Sequence, residues 1–315
     1  MRHDLAQRTI TMAATALIGL DWGTSSARAY RIAADGSVLD TRAAPLGVQK
    51  LDGLDYPSAL ATLLGDWRDD PAPRLASGMV GSRQGWVEAP YVRCPATLPA
   101  LAEGLVATAG GELRVVPGVT TRDAAGVPDV MRGEETEILG AVGPDEDRVL
   151  TVTPGTHSKW TCVEQGRIVD FATFMTGELY AVLIEHSILG RLADRQSTPT
   201  VGAAFDRGLA RGIASGGLTH DLFGARTLAL TGELAPAEVS DWLSGLLIGR
   251  EIRTARTWAF RAGYDAATVR VIGADTLAER YVAGLARADI AADRGPSHAA
   301  ARGLWRIAQT ANLLQ

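Results

Sequence analysis

Asp21 closes an apolar run, Leu17 to Leu20, and is followed by Gly23, Thr24, Ser25 and Ser26 before the chain resumes as "ARAYRI". A tight hairpin needs only a two-residue turn such as Asn-Gly. Glycine permits close backbone approach, and the free N–H groups of such a turn form an anion-binding concavity to which three hydroxyls add donors. A carboxylate beside phosphates is repelled unless a divalent cation intervenes, so Asp21 is expected as an outer ligand of Mg²⁺. The same residues would also make a solvated hairpin closed by an Asx-turn.

A second turn, "TPGTHSKW", supplies Gly155, Thr156, His157, Ser158 and Lys159. Gly-Thr-Ser clusters are common in loops, and this one gains meaning by repeating the first. His157 is expected to position neighbours by hydrogen bonding rather than act as a base or metal ligand. Lys159 can meet a phosphate as a point charge, or be a solvated surface lysine. A third piece is "VRVIGADTLAERY", where a strand ends in Gly273 and Ala274 and a helix begins at Asp275. Small residues there let a flat ring such as adenine lie against the backbone. Gly245 and Gly249 stand inside an apparent helix, at a cost of about 1 kcal/mol each relative to alanine. They serve either nucleotide contact or close helix packing.

These turns need strands to hold them. From Thr15 the pattern runs "TALIGLDWG", "SARAYRI" and "AADGSVLDTRA", with Asp35-Gly36 as a hairpin signal, then a helix placing Leu60, Leu63, Leu64 and Trp67 on one face. Strands at "RLASGMVG" and "LRVVPGV" and a helix near "GEETEILGAV" follow. The opening three-strand pattern then returns in "RVLTVTPGTHSKWTCVEQGRIVDFATF", as a diverged internal repeat. Helices dominate the remainder, apart from the strand "TVRVIGA". Hairpins mixed with crossover helices predict an α/β chain with mixed sheets. The 315 residues suggest two domains, 15–146 and 147–296, with a terminal helix in 297–315 that can rejoin the first. Facing each other, they would put both turns at one cleft.

The bulk composition, 46% hydrophobic and 21% charged, is that of a globular protein. A net charge of −5, with no Lys/Arg-rich run, argues against nucleic acid or a membrane surface as partner. Cys94 and Cys162 have no C-x-x-C spacing, which makes a zinc site unexpected and suits a reducing cytoplasm. Met1 to about Ala14 is expected as a loose extension rather than a signal peptide.

The two turns, the duplication and the glycine junction resemble the actin, hexokinase and heat-shock ATPase superfamily. Its first phosphate loop matches "DWGTSS", its second "TPGTHSKW", and its adenosine motif "VIGAD". The strings "ASGMVGSRQGW", "PYVRCPA", "PDVMRGEETEILGA", "FATFMTGELYAVLIEHSIL" and "LSGLLIGREI" are similar to the 2-dehydro-3-deoxygalactonokinase family, from Leu17 to about Ala283. The resemblance implies two ribonuclease-H-like domains around a nucleotide cleft, with ATP and Mg²⁺ as cofactors. It also implies phosphorylation of the 6-hydroxyl of 2-dehydro-3-deoxy-D-galactonate. Superfamily kinases carry their base at the start of the helix before the second phosphate loop, here "RGEETE", which makes Glu134 and Glu135 the candidates. Related sugar kinases commonly have aspartate there, and acids at a helix start also complement its dipole.

An acidic sugar needs a cation for its carboxylate. Arg83 and Arg132 are candidates because guanidinium grips carboxylate bidentately, although either can instead brace a loop. Ser82, Gln84 and Trp86 are expected companions, Trp22 a plug beneath the phosphates, and Glu178 more a helix opener than a hydroxyl contact. Other readings are a kinase for another sugar acid such as 2-dehydro-3-deoxygluconate, a nucleotide-dependent chaperone or filament protein, and a phosphatase of the same superfamily.

Overall fold

The computed structural model describes residues 14–198, 200–214, 216–264, 268–273 and 275–314. The expected N-terminal extension, up to residue 13, and Ala274 lie outside them. The opening strands are β1 (Leu17–Trp22), β2 (Ala27–Ile32) and β3 (Val38–Ala44), antiparallel in turn, with Asp21 opposite Arg28. Helix α1 (Tyr56–Leu64) starts at Asp55, whose side chain accepts from the Ser58 N–H; it buries Ala59, Leu60, Leu63 and Leu64. It crosses to β4 (Arg74–Gly78), which runs parallel to β1.

Shorter pieces follow: β5 (Tyr91–Arg93), α2 (Leu98–Glu103), β6 (Val106–Ala107), β7 (Arg114–Val115), β8 (Gly118–Arg122) and β9 (Pro128–Met131). The stretch expected as one strand at "LRVVPGV" divides at Pro117, which has no N–H for a ladder, and β7 and β8 join different sheets. The order is β3-β2-β1-β4-β7-β6 in the first sheet and β5-β8-β9 in a small one. Helix α3 (Glu134–Ala141) then leads to the second lobe.

There β10 (Arg148–Thr153), β11 (Ser158–Glu164) and β12 (Arg167–Phe174) repeat the antiparallel opening. Then come α4 (Thr176–His186), α5 (Ala203–Ile213), α6 (Leu218–Leu222), α7 (Gly224–Leu230), α8 (Val239–Arg261), β13 (Val269–Val271), α9 (Asp275–Arg287), β14 (Ala292–Arg294) and α10 (Ala299–Thr310). Strand β13 lies parallel to β10 in the order β12-β11-β10-β13-β14. Both sheets thus carry three antiparallel strands followed by a parallel neighbour of the first. This is the ribonuclease-H-like arrangement used twice, the fold of the actin and hexokinase ATPases.

Alternation along β1 sets the layers. Ile18, Leu20 and Trp22 pack with Leu60, Leu63 and Trp67 under α1, while Leu17 joins Leu304 and Ile307 of α10 on the other face. Val149, Ile168, Phe171 and Ile272 of the second lobe belong to that same core, so α3 and α10 form a floor common to both lobes. On one flank the lobes are hydrogen-bonded together: Ala96 and Ile168 exchange N–H···O bonds of 2.8 and 2.9 Å. Thr121 donates to Asp170 at 2.6 Å, and the Thr173 N–H and hydroxyl donate to Asp129 at 2.8 and 2.6 Å. On the opposite flank a cavity of about 610 Å³ separates Arg28, Tyr30 and Thr41 from Gly273, Arg294 and Gly295.

The floor helices touch backbone to backbone. A Cβ on Gly140 would stand 1.9 Å from the Ala299 oxygen, and one on Gly303 would stand 1.9 Å from the Thr136 oxygen. In a free helix, Gly140→Ala would gain up to about 1 kcal/mol. Here it should instead lower unfolding free energy by about 1–3 kcal/mol through overpacking. Urea denaturation would measure this, and an unchanged or raised midpoint would refute the close crossing.

Candidate active site

The first turn is closed by the Gly23 N–H to the Ser26 oxygen at 2.9 Å. Loop 46–49 clamps it from below. Val48 and Gln49 donate to the Gly23 and Thr24 carbonyls at 3.0 and 3.1 Å, and a Cβ on Gly47 would lie 2.3 Å from the Ser25 nitrogen. Trp22 is the buried plug beneath it, its indole N–H donating to the Leu46 oxygen at 2.7 Å. Ser25 and Ser26 are exposed, and Thr24 is half-buried.

Three backbone segments meet behind this turn. A Cβ on Gly78, at the end of β4, would lie 2.7 Å from the Trp22 oxygen; one on Gly133 would lie 3.1 Å from the Gly78 Cα. Both glycines have positive φ, 98° and 110°, which side-chain-bearing residues rarely adopt. The first turn of α3 is thereby pressed against the end of β1. Four carboxyls, those of Asp21, Glu134, Glu135 and Glu137, result within mutual electrostatic reach.

Burial raises the Asp21 pKa, and Arg28, 3.6 Å away, opposes the rise. Burial likewise raises Glu134, opposed chiefly by the Lys159 ammonium; its Oε2 accepts from the Arg132 N–H at 3.1 Å. Glu135 departs from its expected role as a possible base. It has no exposed surface, and its oxygens accept from the Gly133 N–H at 2.7 Å and the Thr136 hydroxyl at 3.1 Å. Neighbours on a helix point about 100° apart, so Glu135 turns inward where Glu134 does not. Glu137, unremarked in the sequence, faces Asp21 and lines the 610 Å³ cavity. Burial and then the Asp21 charge push its pKa from the ordinary 4.5 up to about 8.

The second turn rests on α4. The Glu178 N–H donates to the Thr156 oxygen at 2.9 Å, and only glycine fits at 177, where a Cβ would be 2.3 Å from the Gly155 oxygen. His157 pairs with the Glu178 carboxylate through Nε2, a positioning contact. Thr156 and His157 are exposed. Ser158 departs from expectation: as the first residue of β11 it faces inward, fully buried, with its hydroxyl 2.8 Å from that of Tyr281. Lys159 is buried too, its ammonium donating to the Val130 oxygen at 3.0 Å and the Thr173 hydroxyl at 2.9 Å.

Beside this turn, Gly155, Gly177, Tyr180, Ser244, Leu247, Ile248 and Tyr281 line an apolar cavity of about 220 Å³. Gly273, with φ of 139°, stands next to Pro154 and lines the 610 Å³ cavity rather than this one. Gly245 does not reach the cavity: a Cβ there would lie 2.1 Å from the Phe205 oxygen, and one on Gly249 would lie 2.4 Å from the Leu209 oxygen. Both glycines serve the α5–α8 crossing, which corrects the nucleotide contact expected of Gly245.

The arginines part ways. Arg83 and Gln84 are exposed on the loop after β4, whereas the Arg132 guanidinium is enclosed 4.3 Å over the Tyr91 ring. Its Nη2 donates to the Ala89 oxygen at 2.8 Å, but Nε and Nη1 are shut from solvent without a hydrogen-bond partner. The Ser77 and Ser82 hydroxyls are likewise buried and unpartnered. Trp86 stacks on Tyr56 at 5.7 Å.

Among the described residues, no three His, Cys, Asp or Glu side chains gather tightly enough to hold a metal by themselves. Asp21 and Glu137 nevertheless fit Mg²⁺, which binds through one or two carboxylates and completes its shell with phosphate oxygens and water. The apolar cavity beside the second turn, about 220 Å³, fits the flat base of a nucleotide.

The sequence model of the family described as 2-keto-3-deoxy-galactonokinase matches residues 21–307. The 2-dehydro-3-deoxygalactonokinase of Escherichia coli K12 is 37% identical over 243 residues, 76% of this chain and 80% of that one. A crystal structure from Sinorhizobium meliloti, described as a protein of that kind, superposes with a TM-score of 0.83 at 34% identity. It covers 93% of this chain and 98% of its own. Component A of (R)-2-hydroxyglutaryl-CoA dehydratase from Acidaminococcus fermentans shares the fold alone, with a TM-score of 0.51 at 12% identity over 93% and 95% of the two chains.

The carboxyl cluster gives the free protein a pH signature. Glu137 binds its proton more tightly folded than unfolded, so its contribution to stability is full below its ordinary 4.5 and is lost as pH rises through about 8. Glu137→Gln should therefore raise Tm over the parent protein by more at about pH 8 than at about pH 5. Calorimetric melts at the two pH values, without nucleotide or metal, test this; a constant difference refutes the shifted carboxyl.

Proposed function

The chain belongs to the 2-keto-3-deoxy-galactonokinase family and is a kinase, and we propose that it carries the terminal phosphoryl group of ATP to the 6-hydroxyl of 2-dehydro-3-deoxy-D-galactonate. The products are 2-dehydro-3-deoxy-6-phosphogalactonate and ADP, in galactonate catabolism. The observation that carries the substrate assignment is the enclosed Arg132 guanidinium, with Nε and Nη1 unpartnered, packed against Gly81, which precedes Ser82, and next in sequence but one to Glu134. Leaving such donors buried and unpaired is costly, and a sugar-acid carboxylate supplies the anionic acceptor that the guanidinium lacks.

When bound, Mg²⁺ and ATP supply the electrophilic phosphorus and the screening of its charge. The chain's own residues do the rest. With Gly23 closing the turn, the N–H groups and hydroxyls of Thr24, Ser25 and Ser26 on one side, and the N–H groups of Gly155, Thr156 and His157 with the Thr156 hydroxyl on the other, would hold the phosphates; Asp21 and Glu137 would hold the metal. Arg132 and Ser82 orient the acid end of the sugar, with the open face of Trp86, Arg83 and Gln84 at the rim. Glu134 accepts the proton of the attacking hydroxyl at a carboxylate oxygen. Burial makes that oxygen more basic, and the Lys159 charge opposes the rise. Excluding water from this chamber protects ATP from hydrolysis.

The domain division at residues 146 and 147, with α10 counted with the first lobe, accords with the position of α10 under β1. A cytoplasmic location accords with two free thiols, and no described helix is long and apolar enough to cross a membrane.

A coupled ADP-release assay with a panel of sugar acids, the 2-dehydro-3-deoxygluconate epimer included, tests the reading against water alone. Turnover should require a sugar acid and favour the galactonate-derived one; hydrolysis independent of sugar would overturn it. Glu134→Gln should lower kcat by about 10²–10⁴-fold with little change in either KM. Glu135→Gln should keep most of the rate, and the reverse ranking would move the base. Arg132→Lys should raise the KM for the sugar acid by about 10–100-fold and leave that for ATP unchanged.

A further inference from the structure

Glu251 of α8 lies within the second lobe with only 2% of its surface exposed, away from the carboxyl cluster of α3. Its Oε1 accepts from the Trp160 indole N–H at 2.7 Å and its Oε2 from the Tyr281 hydroxyl at 2.8 Å. The Tyr281 hydroxyl, with its proton given to Glu251, accepts in turn from Ser158 at 2.8 Å. Thr176, the first residue of α4, adds a hydroxyl that also favours the charged carboxylate. Every donor here is neutral, and the four come from three elements: Ser158 and Trp160 from β11 directly after the second turn, Thr176 from α4, Tyr281 from α9.

Thr176 and Tyr281 line the 220 Å³ apolar cavity, and Gly155 of the turn lines it as well. One carboxylate therefore ties the turn to three walls of the cavity beside it. Burial raises the Glu251 pKa and these hydrogen bonds oppose the rise; with the Tyr281 hydroxyl donating to Glu251, the chain runs from Ser158 to Tyr281 to Glu251. A buried polar network fully satisfied in this way holds its members in one arrangement.

We propose that Glu251 and Tyr281 are positioning residues for the nucleotide, holding the second phosphate turn in register with the cavity that takes the base. The inference rests on the ATP reading above. Neither residue touches the reacting atoms; they act through Ser158 and the cavity wall. Removing Glu251 leaves the Tyr281 hydroxyl and Trp160 N–H without their acceptor, so the anchor of the turn and the wall can shift relative to each other. The sugar-acid side, built from β4, β9 and α3, contains no member of this network.

The test combines steady-state kinetics with calorimetric binding of Mg²⁺–ADP. Glu251→Ala should raise the KM for ATP and the Kd for ADP by at least about tenfold, while the KM for the sugar acid stays within about twofold. Glu251→Gln, which still offers an acceptor to Trp160 and a second polar atom to Tyr281, should restore most of the affinity. Tyr281→Phe removes one oxygen without opening a void and should weaken ADP binding about threefold or more, so it decides the matter if Glu251→Ala does not fold. Unchanged ADP affinity in Tyr281→Phe would overturn the proposal. So would a Glu251→Ala protein that loses sugar-acid and nucleotide affinity equally, with no rescue by glutamine. Failure of the parent protein to turn over or bind ATP would instead overturn the kinase chemistry, a result read before any variant is made.

Discussion

The site depends on one constraint of space, the stacking of three backbones at Trp22, Gly78 and Gly133. No side chain fits between them, and two of the three positions require a positive φ. This contact brings the N-terminus of α3 against the end of β1, so Glu134 and Glu137 on one helix face meet Asp21 at the strand's end. A residue larger than glycine at position 78 or 133 would push α3 outward, separating acid from acid before any catalytic atom was altered. The Gly23–Ser26 turn depends on the same stack, since Trp22 fills the space beneath it and Gly78 abuts the Trp22 carbonyl.

That closeness has an electrostatic cost. Asp21, Glu134, Glu135 and Glu137 are all raised in pKa by burial, and Arg28 and Lys159 are the cations that oppose it. Glu135 shows how part of the load is relieved, by backbone N–H bonds at the helix start and a pKa near 7. Lys159 works from the other lobe, its ammonium fixed by Val130 and Thr173 while its charge acts on Glu134. The charge balance at the centre of the cleft is therefore set jointly by both lobes.

Much of this was legible in the sequence, and the rest was hidden for identifiable reasons. The three-strand opening and its repeat were visible in alternating apolar runs and glycine turns, and "RGEETE" marked the start of α3. Glu137 was overlooked although its spacing from Glu134, three residues on a helix, puts both on one face; nothing local tells that this face meets Asp21. Gly245 resembled a nucleotide contact because its true neighbour, the Phe205 carbonyl, is forty residues away in sequence and arrives only by helix packing. Ser158 looked like part of the turn, but β11 begins with it, and the first residue of that strand points inward. Arg83 and Arg132 were indistinguishable as letters. Their difference comes from tertiary neighbours, Tyr91 and Gly81 enclosing Arg132 while Arg83 meets solvent.

The bonded flank between the lobes has a mechanical consequence. Ala96 with Ile168, Thr121 with Asp170 and Asp129 with Thr173 form a seam along one margin, and the opposite margin holds a wide gap. Two halves sewn along one edge part like the covers of a bound book: the spine stays put and the fore-edge travels. Arg132 follows directly on β9, next to the spine, so its enclosure by Tyr91 and Ala89 lies where relative displacement is least. Gly273 sits at the fore-edge, where the opening is greatest and bulky traffic passes most easily.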